Sequence, residues 1–114
     1  MNILQVSISL DIAYKISIKN VTYFYFNQPG PDVSQEVSDD FYIKSGKAEY
    51  QYETLKNLYL NDLKSNMAVN KDSFDKAIKE LYDYNNQING KIDDIKKASD
   101  IINLIVEVLV VFGL

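Results

Sequence analysis

The C-terminal part of the sequence, residues 73–114, reads SFDKAIKELYDYNNQINGKIDDIKKASDIINLIVEVLVVFGL. Read in sevens, one position is apolar throughout. The residues at that position are Phe74, Leu81, Ile88, Ile95, Ile102 and Leu109. After each of the first five, the residue five places further on is polar. An apolar face opposite a polar face at this spacing predicts an amphipathic helix.

The continuity of this helix depends on Asn89 and Gly90. Asn-Gly is a signal that ends helices, and a glycine inside a helix costs about 1 kcal/mol. The seven-residue pattern nevertheless crosses Gly90 in phase, since Ile88 and Ile95 are both apolar. We therefore expect one long helix, with or without a kink, and two helices separated at Gly90 are the competing interpretation.

After Ala98 the apolar positions almost surround the helix. A helix that is apolar on nearly all sides is normally buried, so we expect this tail to be a core helix. A subunit interface, in which the helix pairs with its own copy, and a membrane-inserting segment are the alternatives. The residues that would serve either alternative are Ile101, Ile105, Val108, Leu109 and Phe112. The apolar run is shorter than the roughly 18 residues that a membrane-spanning helix needs.

Residues 6–18 alternate strictly, with apolar residues at even positions and mostly polar residues at odd positions. A period of two with one dry face predicts a long first strand in an antiparallel sheet. The alternation is lost at Lys19 and Asn20, where we expect a hairpin turn, with a bulge as the alternative. A second strand is expected over residues 21–26, which contain four consecutive aromatic side chains on two covered faces.

A loop over residues 27–32 is predicted by Pro-Gly-Pro, and a third, weaker strand is expected between Val33 and Ile43. A first helix is predicted over Lys47–Val69, after Ser45-Gly46. Its apolar stripe consists of Ala48, Tyr52, Leu55, Tyr59, Leu63 and Met67.

The expected fold class is therefore α+β, in a single domain of residues 1–114. An N-terminal antiparallel sheet of two to four strands, in a β-rich part of residues 1–44, packs on two helices in residues 45–114. The C-terminal helix is the long one.

Several residue types are absent from the chain. It has no Cys, His, Trp or Arg, which removes disulfides, thiolate and Ser-His-Asp chemistry and the usual zinc, copper and iron ligands. The net charge of −4 argues against nucleic acid as a partner. We therefore expect no catalytic, cofactor-binding or metal-binding residue. The paired carboxylates Asp39-Asp40 and Asp93-Asp94 are interpreted as solvated charges rather than as acid–base or calcium-binding groups.

The tyrosines come closest to a binding signal. Nine Tyr and five Phe are many for 114 residues, and Tyr is enriched at interfaces because it joins an apolar ring to a polar tip. Packing of a sheet on a helix is the alternative explanation. The predicted interaction surface consists of Tyr23, Tyr25, Asp39, Asp40, Tyr50 and Tyr52.

The sequence thus predicts a non-enzymatic accessory protein that binds an unidentified protein partner through an acidic, tyrosine-rich surface. A small bacterial or phage partner protein, or an immunity-type protein, would fit. A homo-oligomer formed through the C-terminal helix is a further possibility. The alternative is a lipid- or membrane-associating module that uses the apolar tail or a cavity between sheet and helix. In outline the expected architecture resembles helical pore-forming toxins and tubular lipid-binding domains. No signal peptide or membrane-spanning pattern is evident, so a cytoplasmic location is the default expectation.

Overall fold

The structure is a computed structural model that describes residues 3–58 and 70–114, with side chains from Ser9 onward. These residues contain four helices and no strand. The helices are α1 (Ile3–Phe26), α2 (Gln35–Asn57), α3 (Lys71–Gln87) and α4 (Ile95–Val111). The predicted α+β fold with an N-terminal sheet is therefore wrong, because the part expected to be β-rich is helical.

Three of the helices begin with a side chain that accepts a hydrogen bond from the first turn. The side chains are those of Ser34 for α2, Asn70 for α3 and Asp94 for α4. Each satisfies a backbone N–H group that has no partner within the helix.

The helices run alternately up and down. Tyr14 of α1 stacks on Tyr52 of α2, and Phe24 of α1 contacts Phe41 of α2 edge to face, so the two helices run in opposite directions. The same holds for α3 and α4, because Phe74 contacts Phe112 near one end of the pair. At the other end, Tyr84 donates a hydrogen bond to Asp100.

Two of the four helices form the centre of the bundle. Helix α4 packs against the other three, and α1 does the same, whereas the described parts of α2 and α3 do not contact each other. Asn20 near the end of α1 donates a hydrogen bond to the Ala98 carbonyl near the start of α4. Leu10, near the start of α1, is buried in one cluster with Val108 near the end of α4, so these two helices are also antiparallel. Because α2 and α4 are both antiparallel to α1, they run parallel to each other.

The alternating pattern of the N-terminal region belongs to a helix, and the hairpin turn expected at Lys19-Asn20 is absent from α1. The buried residues of α1 recur mostly at intervals of three or four. They are Leu10, Ala13, Ile16, Ser17, Asn20 and Phe24. This stripe contains a Ser, an Asn and a small Ala, so it does not read as an apolar face. Tertiary packing overrides the β preference of the Ile-rich alternation.

The regions predicted to form the two shorter strands are also helical. In the aromatic run at the end of α1, Phe24 is buried, whereas Tyr25 and Phe26 are exposed, so the expected cover on both faces is absent. The expected third strand lies almost wholly in α2, where Phe41 is buried and Ile43 is exposed. Of the elements predicted for residues 1–44, the loop over residues 27–32, between α1 and α2, is confirmed.

The first predicted helix is confirmed over Lys47–Asn57, but α2 begins twelve residues earlier, at Gln35. Ser45-Gly46 does not interrupt it. Ala48 and Leu55 of the predicted stripe are buried. The remainder of the prediction, residues 59–69 with Tyr59, Leu63 and Met67, lies outside the described residues.

The expected long C-terminal helix is two helices. At the end of α3 the Gly90 N–H donates to the Asn85 carbonyl at 2.7 Å, and the Asn89 N–H donates to Asn86 at 3.0 Å. Asn89 and Gly90 have φ angles of 55° and 67°. This pair of hydrogen bonds, with left-handed residues, is the Schellman motif that ends helices.

The unbroken seven-residue pattern has a simple cause. Helix α3 ends at Gln87 and α4 begins at Ile95, so residues 88–94 form the connection. Because the connection is itself seven residues long, the apolar positions of α4 still fall at multiples of seven from those of α3. The phase therefore carries no information about whether the helix continues.

Candidate functional site

The clearest concave feature of the described surface is a groove of about 540 Å³ between α2 and α4. Its α2 side includes Ile43, Gly46, Lys47 and Tyr50, and its α4 side includes Val106. Leu114, which follows α4, lies at one end. The groove is therefore formed by two parallel helices that are 51 residues apart in the chain at their Gln51–Ile102 hydrogen bond.

The groove exists because α2 and α4 touch along their inner sides and diverge outward. Ala48 of α2 and Ala98 and Ile102 of α4 are buried in one cluster with Phe24 of α1. The residues that point outward from this seam remain in solvent and form the walls. Since Gly46 has no side chain, the α2 wall is open at that position, beside Lys47.

A buried amide lies beside the groove. Gln51 is only 3 % exposed, and its Nε2 donates to the Ile102 carbonyl at 2.8 Å. Its Oε1 accepts no hydrogen bond from the described residues. An unpaired buried oxygen destabilises a fold by about 1–3 kcal/mol, so this part of the α2–α4 contact is not optimised for stability alone.

The charge of the groove comes from Lys47. It is the charged side chain among the described lining residues, and within the described part of the chain it forms no ion pair. Lys44, one turn earlier, is bound to Asp40 at 2.8 Å. The groove therefore presents one positive charge between apolar walls, although the chain as a whole is acidic.

Three of the predicted surface tyrosines have different surroundings. Tyr50 is exposed and lines the groove. Tyr52 is half-buried and stacks on Tyr14, with ring centroids 5.7 Å apart. Tyr23 is half-buried near the start of α4, where burial and then the charges of Asp94 and Asp93 raise its pKa.

The other three predicted surface residues lie near the connection between α1 and α2. Tyr25 is exposed at the end of α1. On α2, Asp39 accepts a hydrogen bond from Gln35 at 2.7 Å, and Asp40 holds Lys44. The six residues predicted as one surface are thus spread along the bundle, and only Tyr50 belongs to the groove.

The predicted oligomer or membrane segment faces mostly inward. Ile101, Ile105, Val108 and Leu109 are buried in the core, and Phe112 is half-buried against Phe74. The tail therefore occupies the position of a core helix, which is the interpretation that we favoured from the sequence.

Other residues of the tail are exposed. Val106, Val110 and Leu114 remain in solvent, and sequence reasoning did not single them out. Their spacing of four was the available signal. It marks one side of a helix, but it is visible only after the inner stripe of α4 has been assigned.

Polar contacts between α3 and α4 lie beside their apolar packing. The Tyr84 hydroxyl donates to Asp100 at 2.7 Å, and burial together with this bond raises the pKa of Tyr84 to about 12. A hydrogen bond with Glu80 raises the pKa of Glu107, and burial adds to the effect. Within residues 3–58 and 70–114, no three acidic side chains gather as they would around a metal ion.

Comparisons with protein-family models, with curated proteins and with solved structures find no match to this chain. In the part of the chain that the structure describes, no helix is both long enough and apolar enough to cross a membrane.

Proposed function

We propose that this chain is a non-enzymatic accessory protein that binds another protein through the groove between α2 and α4. The observation that carries the proposal is the exposure of large apolar side chains along the groove. Ile43, Tyr50 and Leu114 are 60 %, 61 % and 54 % exposed. Contiguous apolar surface of this kind marks interaction sites on proteins.

The shape of the groove favours a protein over a small molecule. Small-molecule pockets enclose most of their ligand, whereas Ile43, Tyr50 and Leu114 of this groove are each more than half exposed to solvent. Tyr50 supplies a rigid aromatic side chain of the type enriched in the core of protein interfaces. These features support the expected protein partner but relocate the contact from the acidic, tyrosine-rich surface to an apolar groove.

The test is photo-crosslinking in the cells from which the protein comes. A photoreactive phenylalanine derivative replaces Tyr50 in the groove, and in a matched control it replaces Tyr82, which is exposed on α3. We expect a crosslinked protein species from position 50 that is absent from position 82. Adding Val106→Glu to the position 50 protein is expected to abolish it.

Three results would contradict the proposal. They are no protein crosslink from position 50, equal crosslinks from both positions, or crosslinks to lipid alone. Circular dichroism of each variant shows whether the bundle is retained, so a loss of crosslinking through unfolding is recognised.

A further inference from the structure

On the basis of the proposed function, we infer that the groove receives a helix of the partner protein, whose apolar face carries an acidic residue that pairs with Lys47. The inference rests on the shape of the groove, on the glycine in its wall and on its charge.

The shape of the groove matches a helix. Its exposed apolar lining residues are Ile43 and Tyr50 on the α2 wall, Val106 on the α4 wall and Leu114 at one end. The α2 wall from Ile43 to Gln51 extends about 12 Å at 1.5 Å per residue, which is two helical turns. An amphipathic helix that lies in such a groove uses anchors spaced by three, four and seven residues.

Gly46 indicates that the occupant approaches closely. A Cβ atom at this position would meet no atom within 4 Å, so the packing of the bundle does not require glycine. Glycine inside a helix is less favourable than alanine, and its usual justification is close approach of another backbone. The groove is the side of α2 that Gly46 lines, so a docked helix would supply that reason.

Lys47 determines the kind of helix. Because it has no ion pair within the described residues, a carboxylate on the partner would provide one at the centre of the α2 wall. A second copy of this chain fits less well. In a two-fold contact of this face with itself, both surfaces would carry Lys47 as the charged side chain among their described lining residues, so neither would supply the opposite charge.

The experiment uses three displayed libraries of helical peptides. All share randomised apolar residues at positions i, i+3 and i+7, and one position beside that face is fixed as Glu, Gln or Lys. The full-length protein is the bait. We expect enriched binders chiefly from the Glu library, and at least tenfold weaker binding of those peptides to Lys47→Glu. The matched control, Lys91→Glu in the α3–α4 connection, makes the same change of charge away from the groove and is expected to retain binding.

Gly46→Leu provides a second variant, whose effect on peptide binding is not expected to arise from unfolding of the protein. It replaces glycine by a better helix former at a site with open space, so its thermal stability should equal or exceed that of the natural protein. Its side chain would occupy the groove, and we expect at least a tenfold loss of peptide affinity.

Several outcomes would overturn the inference. They are preference for the Gln or Lys library, no enrichment from any library, binding unaffected by Gly46→Leu, and a solution mass that doubles through this face. Binding to phosphatidylcholine or phosphatidylglycerol vesicles that requires Tyr50 would assign the groove to lipid instead. If a protein is crosslinked at position 50 while the peptide experiment fails, only this inference falls. If crosslinking also fails, the proposed function falls with it.

Discussion

Helices α1 and α4 are both central and both rich in apolar residues, yet only one of them is recognisable as a helix from its sequence. The inner side of α4 is apolar throughout, from Ala98 to Leu109. The inner side of α1 includes Ser17 and Asn20, both almost completely buried. The difference is chemical, because each of the two helices packs against all three of the other helices.

The two buried polar residues of α1 each donate a hydrogen bond, but to different partners. Ser17 donates to the Tyr14 carbonyl of its own helix at 2.6 Å, and Asn20 donates to the Ala98 carbonyl of α4 at 3.2 Å. Buried polar groups are acceptable when they form hydrogen bonds, but they interrupt the apolar stripe by which a helix is recognised in the sequence. A hydrophobic pattern therefore reveals a helix only when its inner face is apolar.

The largest expected effect on stability distinguishes a helix from a strand with one buried face over α1. Ile16 and Ile18 would be equivalent in a strand with one dry face, but in α1 they are 4 % and 39 % exposed. We expect Ile16→Ala to lower the free energy of unfolding by about 2–4 kcal/mol. Ile18→Ala should lower it by less than about 1 kcal/mol, because much of its surface is already in water. Urea unfolding followed by circular dichroism measures both, and equal losses would contradict the helical assignment.

The next effect concerns the bond between α1 and α4. Asn20→Ala removes the hydrogen bond to Ala98 and leaves a small void, so we expect a loss of about 1–2 kcal/mol. Asn20→Leu also removes the bond, but it keeps the branched shape of the side chain and eliminates an Oδ1 atom that has no partner in the described part of the chain. It should therefore be more stable than Asn20→Ala in the same urea titration. The reverse order would show that the site does not accommodate the larger methyl groups of leucine.

A smaller effect is expected at Ser17, which is equally buried but bonded within its own helix. Ser17→Ala removes donor and bond together and improves helix propensity, so the free energy of unfolding should change by less than about 0.5 kcal/mol. Thermal unfolding beside Asn20→Ala provides the measurement. A loss as large as that of Asn20→Ala would mean that Ser17 also supports the contact between helices.

The smallest effect concerns the edge between α3 and α4, where a hydrogen bond with Glu80 raises the pKa of Glu107 above its ordinary value of 4.5. A raised pKa contributes stability at low pH that is lost as the pH rises through the raised value. At pH 7, Glu107→Gln should therefore be more stable than the natural protein by less than about 0.5 kcal/mol, since the pair is exposed and Lys76 partly offsets the repulsion.

Unfolding at pH 7 and pH 4 tests this sign, with Glu49→Gln on the exposed side of α2 as the control. The gain should be present at pH 7 and disappear at pH 4. A gain that is the same at both values, or that Glu49→Gln reproduces, would contradict coupling between the two carboxyl groups.

These contrasts show which parts of the fold could be predicted from the sequence. The confirmed predictions are helix over Lys47–Asn57, helical periodicity on both sides of Gly90, and the loop over residues 27–32. The break at Gly90 was missed because its connection is seven residues long. Helix α1 was missed because Ser17 and Asn20 lie on its inner face.

The candidate site was beyond prediction for a different reason. Its walls come from α2 and α4, and the seam that separates inward from outward residues depends on contacts such as that between Gln51 and Ile102. A local pattern could indicate that Tyr50 is exposed, but not that Val106 lies across from it. Which residues face each other across the groove depends on the pairing of two helices that are distant in the chain.

The central position of α1 and α4 also has a consequence for the order in which the chain folds. Asn20 and Ala98 are 78 residues apart, whereas Tyr84 and Asp100 in the α3–α4 hairpin are 16 apart. Contacts between residues that are close in sequence form with less loss of chain entropy. We therefore expect the α3–α4 hairpin to form early and α1 to pack onto it afterwards. During synthesis, the inner face of α1 leaves the ribosome long before α4 exists. Until the last helix arrives, α2 is the main cover available to it.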